Sequence, residues 1–185
     1  MAVGKLRGKK KWFTVLAPEI FKSRELVDIT AYELKELEGR SVECNFAQLT
    51  EKPKDQYKKI ILKVVGTKGE KAITEPKQYY LVESFVQRTG RRFKEKLYDV
   101  LTLRSKDGKN IKIKLFLLAT KLLHHSVRAD VLVLTRKKAG EFVLPLDAFE
   151  MFLPENIDAL ASGLQAEVKK IYPIDRILVW KVSVV

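Results

Sequence analysis

An Asp-Gly pair between two patterned segments constrains the fold of this chain more than any other sequence feature. Residues 96–104 and 110–118 flank Asp107 and Gly108, and in the second segment apolar residues alternate with lysines. Asp-Gly is a preferred sequence for the tight turn between antiparallel strands, so this stretch predicts a β-hairpin. The outward face of the predicted hairpin carries three lysines: Lys109, Lys112 and Lys114.

Alternating or clustered apolar residues predict further strands. Residues 41–49 alternate, residues 57–65 are rich in Ile and Val, and residues 174–185 alternate to the end of the sequence. Residues 131–134 and 142–144 flank a basic turn, which favours a second hairpin. The alternative for these last two segments is the end of a helix that begins before Val127.

Three segments predict helices. Residues 31–38 follow the capping-box spacing of Thr30 and Glu33, which indicates a short helix. Residues 81–92 are ambiguous between strand and helix, and we favour a helix with a basic end because their apolar side chains lie at helical spacing. Pro154 opens an apolar stripe with a period of about 3.6 residues, which Pro173 stops, and this pattern predicts a long amphipathic helix.

Strands mixed with helices predict an α+β protein with a basic N-terminal arm. The chain has 185 residues and 46% hydrophobic residues, enough for an apolar core. Residues 1–11 contain no acid and few apolar side chains, which is typical of a segment that does not order by itself. We therefore expect an arm at residues 1–11 and a single globular domain at residues 12–185.

A strong excess of positive charge indicates an anionic partner. Lys and Arg number 36 against 23 Asp and Glu, a formal net charge of +13. Clustered cations attract polyanions and release their counterions on binding, which favours nucleic acid over a merely solvated basic surface. The predicted RNA contacts lie in the arm (Lys5, Arg7, Lys9, Lys10 and Lys11) and in a second cluster (Arg88, Arg91, Arg92, Lys94, Lys96, Lys106, Lys109 and Lys112).

These cations predict contacts to phosphates, which position a protein without specifying a base sequence. The arm ends at Trp12 and Phe13, and because apolar residues continue after them, both are expected to anchor the core rather than stack on bases. An alternative within the same chemistry is a free-standing RNA-binding or regulatory protein.

Catalytic, metal and cofactor signatures are absent from the sequence. The two histidines are adjacent, at His124 and His125, and point in different directions in any regular element, so they favour surface roles over a metal site. The single cysteine, Cys44, is expected to be a core thiol, and it indicates a reducing compartment. No signal peptide or membrane-spanning run is evident, so we expect a cytosolic protein. Because catalytic signatures are absent, an enzyme acting on RNA is the weakest hypothesis for its function.

Three stretches resemble one protein family, in the order in which the family has them. A basic tail followed by a Trp-Tyr/Phe and Ala-Pro signature is similar to residues 9–21, KKKWFTVLAPEIF. The family's long hairpin is similar to residues 91–121, RRFKEKLYDVLTLRSKDGKNIKIKLFLLATK. Its C-terminal Ile-Tyr-Pro signature is similar to residues 169–185, KKIYPIDRILVWKVSVV. The chain thus resembles the S3Ae (eS1) small-subunit ribosomal proteins of archaea and eukaryotes, in their archaeal type.

The resemblance implies a β-barrel-like mixed core with packed helices. It also implies a structural constituent of the small ribosomal subunit, in the cytoplasm, that binds rRNA on the platform near the mRNA exit. Implied partners are small-subunit rRNA and neighbouring platform proteins, with contact to mRNA left open and with no membrane, cofactor or enzymatic activity. Residues 122–153 depart from the family, which usually has a polar helix there.

Individual residues match family positions. The arm cations correspond to the family's RNA-embedded tail, Arg91 and Arg92 to the basic pair before its hairpin, and residues 106–109 to the hairpin tip. The resemblance implies a structural role for five signature positions: Trp12, Ala17, Pro18, Tyr172 and Pro173.

Overall fold

The computed structural model describes residues 9–69 and 71–185, and it confirms the predicted α+β class. The described strands are β1 (Lys11–Leu16), β2 (Glu25–Ala31), β3 (Ser41–Asn45), β4 (Lys58–Lys68), β5 (Lys71–Leu81), β6 (Glu95–Arg104), β7 (Asn110–Ala119) and β8 (Arg176–Val184). The α-helices are α1 (Phe46–Thr50), α2 (Glu83–Gly90), α3 (His125–Val143) and α4 (Pro154–Val168). Among the described helices, none is both long and apolar enough to cross a membrane.

The described chain groups into two compact units, of which the first comprises the described parts of residues 1–56 and 60–77. In this unit β2 pairs antiparallel with β1, and β1 pairs parallel with β5. β4 pairs with both β5 and β3. The strands enclose an apolar cluster that consists of Phe13, Val15, Ala31, Leu37, Val64 and Ala72.

The second unit comprises residues 57–59 and 78–185 and is built on an antiparallel sheet. The strand order is β5-β8-β7-β6, and the β6–β7 pairing runs without interruption from Glu95↔Ala119 to Arg104↔Asn110. α3 packs on β6, α4 packs on β8, and the two helices contact each other. The sheet therefore has one face under helices, and on the opposite face of β6 the side chains of Lys96, Tyr98 and Val100 are exposed.

The strand pairing is open at its ends. Among the described residues β6 pairs only with β7, and β2 pairs only with β1. The sheet does not close on itself, so the term barrel-like describes this core only loosely.

The predicted β-hairpin is confirmed. β6 and β7 lie within one residue of the predicted boundaries at each end, and Gly108 adopts a φ of 76° in the turn. Such a positive φ is most readily adopted by glycine, which has no Cβ. This explains why the Asp-Gly pair predicts the turn. The strand predicted at residues 57–65, the helix at 81–92, the helix opened by Pro154 and the C-terminal strand are also present.

The hairpin favoured for residues 131–144 is wrong, because this segment is helical in α3, as the alternative had it. The buried residues of α3 recur every four positions: Val131, Thr135, Ala139 and Val143. Val133 is 64% exposed, so the Val-Leu-Val-Leu alternation reflects no buried strand face. Only one side of the helix is buried. The apolar residues on its other sides produce an alternation that resembles the pattern of a strand.

Two other predictions needed correction near the start of the chain. The helix predicted at residues 31–38 is wrong, since β2 continues through Ala31 and only a 3-10 turn follows at Leu34–Leu37. The strand predicted at residues 41–49 ends at Asn45, whose side chain accepts a hydrogen bond from the Ala47 N–H and caps α1. An Asn side chain at the start of a helix accepts a hydrogen bond from an N–H that would otherwise be unpaired. The chain therefore passes from strand to helix at Asn45.

Candidate nucleic-acid interface

Only the end of the predicted arm falls within the described residues. Three of its cations are described and exposed: Lys9, Lys10 and Lys11. Two others lie outside the described residues: Lys5 and Arg7. The Lys10 Nζ lies 5.5 Å from the ring centroid of Tyr32, and Lys11 begins β1 opposite Ala31. The last two arm cations are therefore positioned by the first unit.

The aromatic pair after the arm divides between surface and core. Trp12 is 71% exposed, so the expectation that it anchors the core is wrong. Phe13 is 5% exposed and packs in the first unit's core, as predicted. Successive side chains of a strand point to opposite faces, so only one of two adjacent aromatic residues can face the same core.

Five predicted contacts lie in α2, in the segment that follows it and at the start of β6. All of them are exposed: Arg88, Arg91, Arg92, Lys94 and Lys96. The Arg88 Cζ lies 5.3 Å from the ring centroid of Tyr57, and that ring stacks on Phe85 at 4.7 Å. A guanidinium over an aromatic face is attracted by the ring quadrupole, which holds Arg88 at the surface in a defined position.

The three remaining predicted contacts belong to the hairpin, and all are exposed: Lys106, Lys109 and Lys112. The tip of the hairpin contacts the segment that follows α3, where the Lys106 N–H donates to the Leu146 carbonyl over 3.1 Å. The Lys109 Nζ lies 4.0 Å from the ring centroid of Phe149. These contacts fix the tip relative to the rest of its unit, so its cations project from a rigid support.

The acids of the hairpin strands are withdrawn from the exposed face. The side chains of Glu95 and Asp99 are 7% and 4% exposed and face the helices. Arg128 donates to Glu95 over 2.7 Å, and Arg136 donates to Asp99 through Nη2 at 2.8 Å and Nε at 3.0 Å. The Asp99 carboxylate, through these hydrogen bonds and its charge, raises the pKa of Arg136. The exposed face of β6 and β7 consequently presents cations without acids.

Sequence reasoning missed an aromatic cluster on that same face. Tyr98 pairs with Phe116 across β6 and β7, and the two rings stack with centroids 4.6 Å apart. Trp180 of β8 lies 6.0 Å from Tyr98. Alternation along β6 places Tyr98 on the face of Lys96, but its neighbours come from other strands and no local pattern predicts them.

The described cysteine and histidines belong to no metal-holding cluster within the described residues. Cys44 is buried, and burial, reinforced by the nearby Glu43 charge, raises the pKa of its thiol, which confirms the predicted core role. His124 precedes α3, His125 begins it, and both are exposed. In residues 9–69 and 71–185 no three or more His, Cys, Asp or Glu side chains are grouped to hold a metal ion.

Residues 5–185 match a known protein family, the Ribosomal S3Ae family. The chain belongs to this family. Membership confirms the resemblance carried by the three sequence stretches, and it makes the chain a member of a ribosomal rather than an enzymatic family.

Relatives of this S3Ae-family chain are found in several archaea. The small ribosomal subunit protein eS1 of Archaeoglobus fulgidus is 30% identical over 177 residues, which cover 94% of this chain and 83% of the relative. The protein of the same name from Nanoarchaeum equitans is 29% identical over 165 residues, covering 89% and 83%. The one from Saccharolobus solfataricus is 28% identical over 180 residues, covering 95% and 84%.

Family membership also bears on the segment that departed from the expected pattern. The resemblance implied a helix within residues 122–153, whereas the apolar sequence of this chain favoured a hairpin there. The structure has the helix α3 in that position.

Proposed function

We propose that the chain is a structural constituent of the small ribosomal subunit and binds small-subunit rRNA through its basic arm and the second cationic cluster. In this proposal residues 1–11 follow rRNA, and residues 12–185 present the cluster of α2, β6 and β7. The protein works in the cytoplasm, on the platform of the subunit near the mRNA exit and beside other platform proteins. Support comes from family membership and from the relatives named small ribosomal subunit protein.

One observation carries the RNA-binding part of the proposal, namely the separation of charge across the hairpin. Lys96 and Lys112 are exposed on one face, whereas Glu95 and Asp99 are buried on the other and paired with arginines of α3. A phosphate that approaches the exposed face meets cations and no strand carboxylate, which favours binding of a polyanion. The net charge of +13 supplies the same preference at long range.

The experiment that tests this proposal compares two variants with the same loss of charge. One variant replaces cations of the proposed face, with Arg91→Gln, Arg92→Gln and Lys112→Gln. The matched control replaces three exposed cations elsewhere in the second unit, with Lys121→Gln, Lys137→Gln and Lys169→Gln. Binding to small-subunit rRNA is measured over a series of salt concentrations, together with incorporation into subunits during reconstitution.

We expect the first variant to lower the slope of log affinity against log salt by about 2 to 3, because three phosphate contacts are lost. Its incorporation into subunits falls, and the control remains close to the unmodified protein. Equal losses in the two variants would contradict a localised RNA-binding face. A chain that binds rRNA but does not stay with subunits would instead indicate a free-standing RNA-binding protein.

A further inference from the structure

A groove of about 320 Å³ lies on the exposed face of the second unit's sheet, beside α2. Its walls include the rings of Tyr98, Phe116 and Trp180. Binding pockets for small planar ligands fall in the range from roughly 300 Å³ upward and combine apolar walls with a few polar groups. The groove thus has the size and the lining to take one flat aromatic group.

The three rings leave a platform accessible at the surface. Phe116 is 1% exposed and forms the floor, with its ring inclined by only 14° to that of Tyr98. Tyr98 is 58% exposed, so part of its ring is open to a ligand while Phe116 supports it from one side. A supported, exposed ring is what stacking on a nucleobase requires.

Local backbone features create this groove. Gly90, at the end of α2, brings the helix close to the sheet, because a Cβ at this position would lie 3.2 Å from Phe116 Cζ. In β8 the pairing passes from Lys114↔Lys181 to Leu115↔Val179 and leaves Trp180 without a direct partner. Such a bulge redirects a side chain, and here it places the indole beside Tyr98.

The charges around the groove select an anionic ligand. Arg91 and Lys96 line it, and the Lys114 Nζ lies 5.9 Å from the ring centroid of Trp180. Glu83 also lines the groove, but its carboxylate accepts a hydrogen bond from the Gln87 amide. Cations on an aromatic rim match a nucleotide, whose base stacks while its phosphates pair with Lys and Arg.

We propose that this groove binds one unpaired base of RNA, which stacks on Tyr98 while Arg91 and Lys96 hold the flanking phosphates. The inference rests on the proposed function for the identity of the partner and adds a second mode of binding to it. Bases within a duplex have both faces covered, so the groove distinguishes single-stranded from paired RNA. The cationic cluster by itself makes no such distinction, since it contacts phosphates.

The test uses the full chain and two RNA probes, a single-stranded oligoadenylate of about 10 nucleotides and an RNA duplex of the same length. Affinities are measured by fluorescence anisotropy for the unmodified chain, Tyr98→Ala, Tyr98→Phe and the control Val100→Ala. Val100 is 49% exposed on the same face of β6 but does not line the groove. Circular dichroism checks that each variant is folded. In a Trp12→Phe chain the only remaining tryptophan is Trp180, whose fluorescence reports on the groove directly.

We expect Tyr98→Ala to weaken binding of the oligoadenylate by about 5- to 100-fold, because one stacked base is lost. Duplex affinity changes by less than about twofold, since stacking takes no part in it. Tyr98→Phe and Val100→Ala keep the oligoadenylate affinity of the unmodified chain. The oligoadenylate quenches the fluorescence of Trp180. Lys96→Gln lowers the salt slope for the single strand by about 0.7.

Three results would overturn the inference. They are equal affinities of Tyr98→Ala and the unmodified chain for oligoadenylate, equal losses for both probes, or quenching of Trp180 by an oligoglutamate peptide but not by oligoadenylate. The last result would assign the groove to an acidic protein segment. Sedimentation with small subunits separates this failure from that of the proposed function. A chain that sediments with subunits while Tyr98→Ala has no effect refutes the groove alone, and one that binds neither subunits nor RNA refutes both.

Discussion

At the scale of single residues, burial decides which charged groups are available for binding. Asp99 occupies a buried position in β6, where an unpaired carboxylate would be strongly unfavourable. Arg136 forms two hydrogen bonds with it, and the Val100 N–H donates a third over 3.0 Å. This arginine therefore contributes to the fold. Within the part of the chain that the structure describes, the arginines around α2 make no such carboxylate contacts and are available to a partner.

This difference predicts unequal effects of two substitutions in α3. Arg136→Ala should lower the free energy of unfolding, because the buried Asp99 carboxylate loses two of its hydrogen bonds. Lys137→Ala removes an exposed cation from the adjacent position and should change it by less than about 0.5 kcal/mol. Urea denaturation of both variants measures the difference. Equal stabilities of the two would contradict a structural role for the Arg136–Asp99 pair.

At the scale of elements, the sequence predicts those whose buried side chains are apolar and regularly spaced. The β6–β7 hairpin and α4 have such patterns and were predicted. β5 was not predicted, because the buried positions of its first half hold the small or polar residues Ala72, Thr74 and Pro76, while Ile73 is 42% exposed. Its pattern is thus inverted relative to a normal half-buried strand.

The candidate site likewise has one part that the sequence predicted and one part that it did not. All described cations of the predicted set are exposed, since charge and burial are strongly linked. The aromatic groove was not predicted, because Tyr98, Phe116 and Trp180 come from three strands and Gly90 from a helix. Only the tertiary structure brings them together.

The contact between the hairpin tip and the segment after α3 should make the stability of the protein depend on pH. Hydrogen bonding with the Asp107 carboxyl, and to a smaller extent burial and charge, raises the pKa of Asp147. A carboxyl whose pKa is raised on folding favours the folded state below its unfolded pKa of about 4, and this contribution is lost as the pH rises through the folded-state value. At neutral pH the two like charges oppose the contact.

Asp147→Asn should therefore stabilise the protein at neutral pH, and its advantage over the unmodified chain should disappear as the pH falls below about 4. Urea denaturation across this range measures the effect, with Asp130→Asn, an exposed acid of α3, as control. An advantage that is constant with pH would show that repulsion between the two carboxylates plays no part in it, and one that grows toward acid would show that the pKa of Asp147 is shifted in the opposite direction.

At the scale of the whole molecule, the proposed function assigns part of the RNA binding to an arm that lies outside the cores of the two units. The cores of the two units consist of residues from Phe13 onward, whereas the arm contributes charge. Lys11 already pairs in β1 and Lys10 contacts Tyr32, so a truncation that spares the fold must end before them.

Deletion of residues 1–8 should leave the melting temperature within about 2 °C of the full chain, because every core residue is retained. It removes Lys5 and Arg7, so the salt slope for rRNA binding should fall by about 1.4 to 1.8. Calorimetry and rRNA binding measure the two effects. A chain with Lys5→Gln and Arg7→Gln serves as control and should reproduce the loss of binding. Unfolding of the truncated chain would contradict this division of roles.

The central claim is that this S3Ae-family chain is a component of the small ribosomal subunit, and its most direct test is co-purification. Subunits are isolated from cells that express the tagged chain and are sedimented through moderately high salt. We predict that the chain remains with small-subunit RNA in equimolar amount, because many phosphate contacts and the surrounding subunit hold it together. Loss of the chain from the small-subunit fraction under these conditions, or its presence in far less than equimolar amount, would contradict the account.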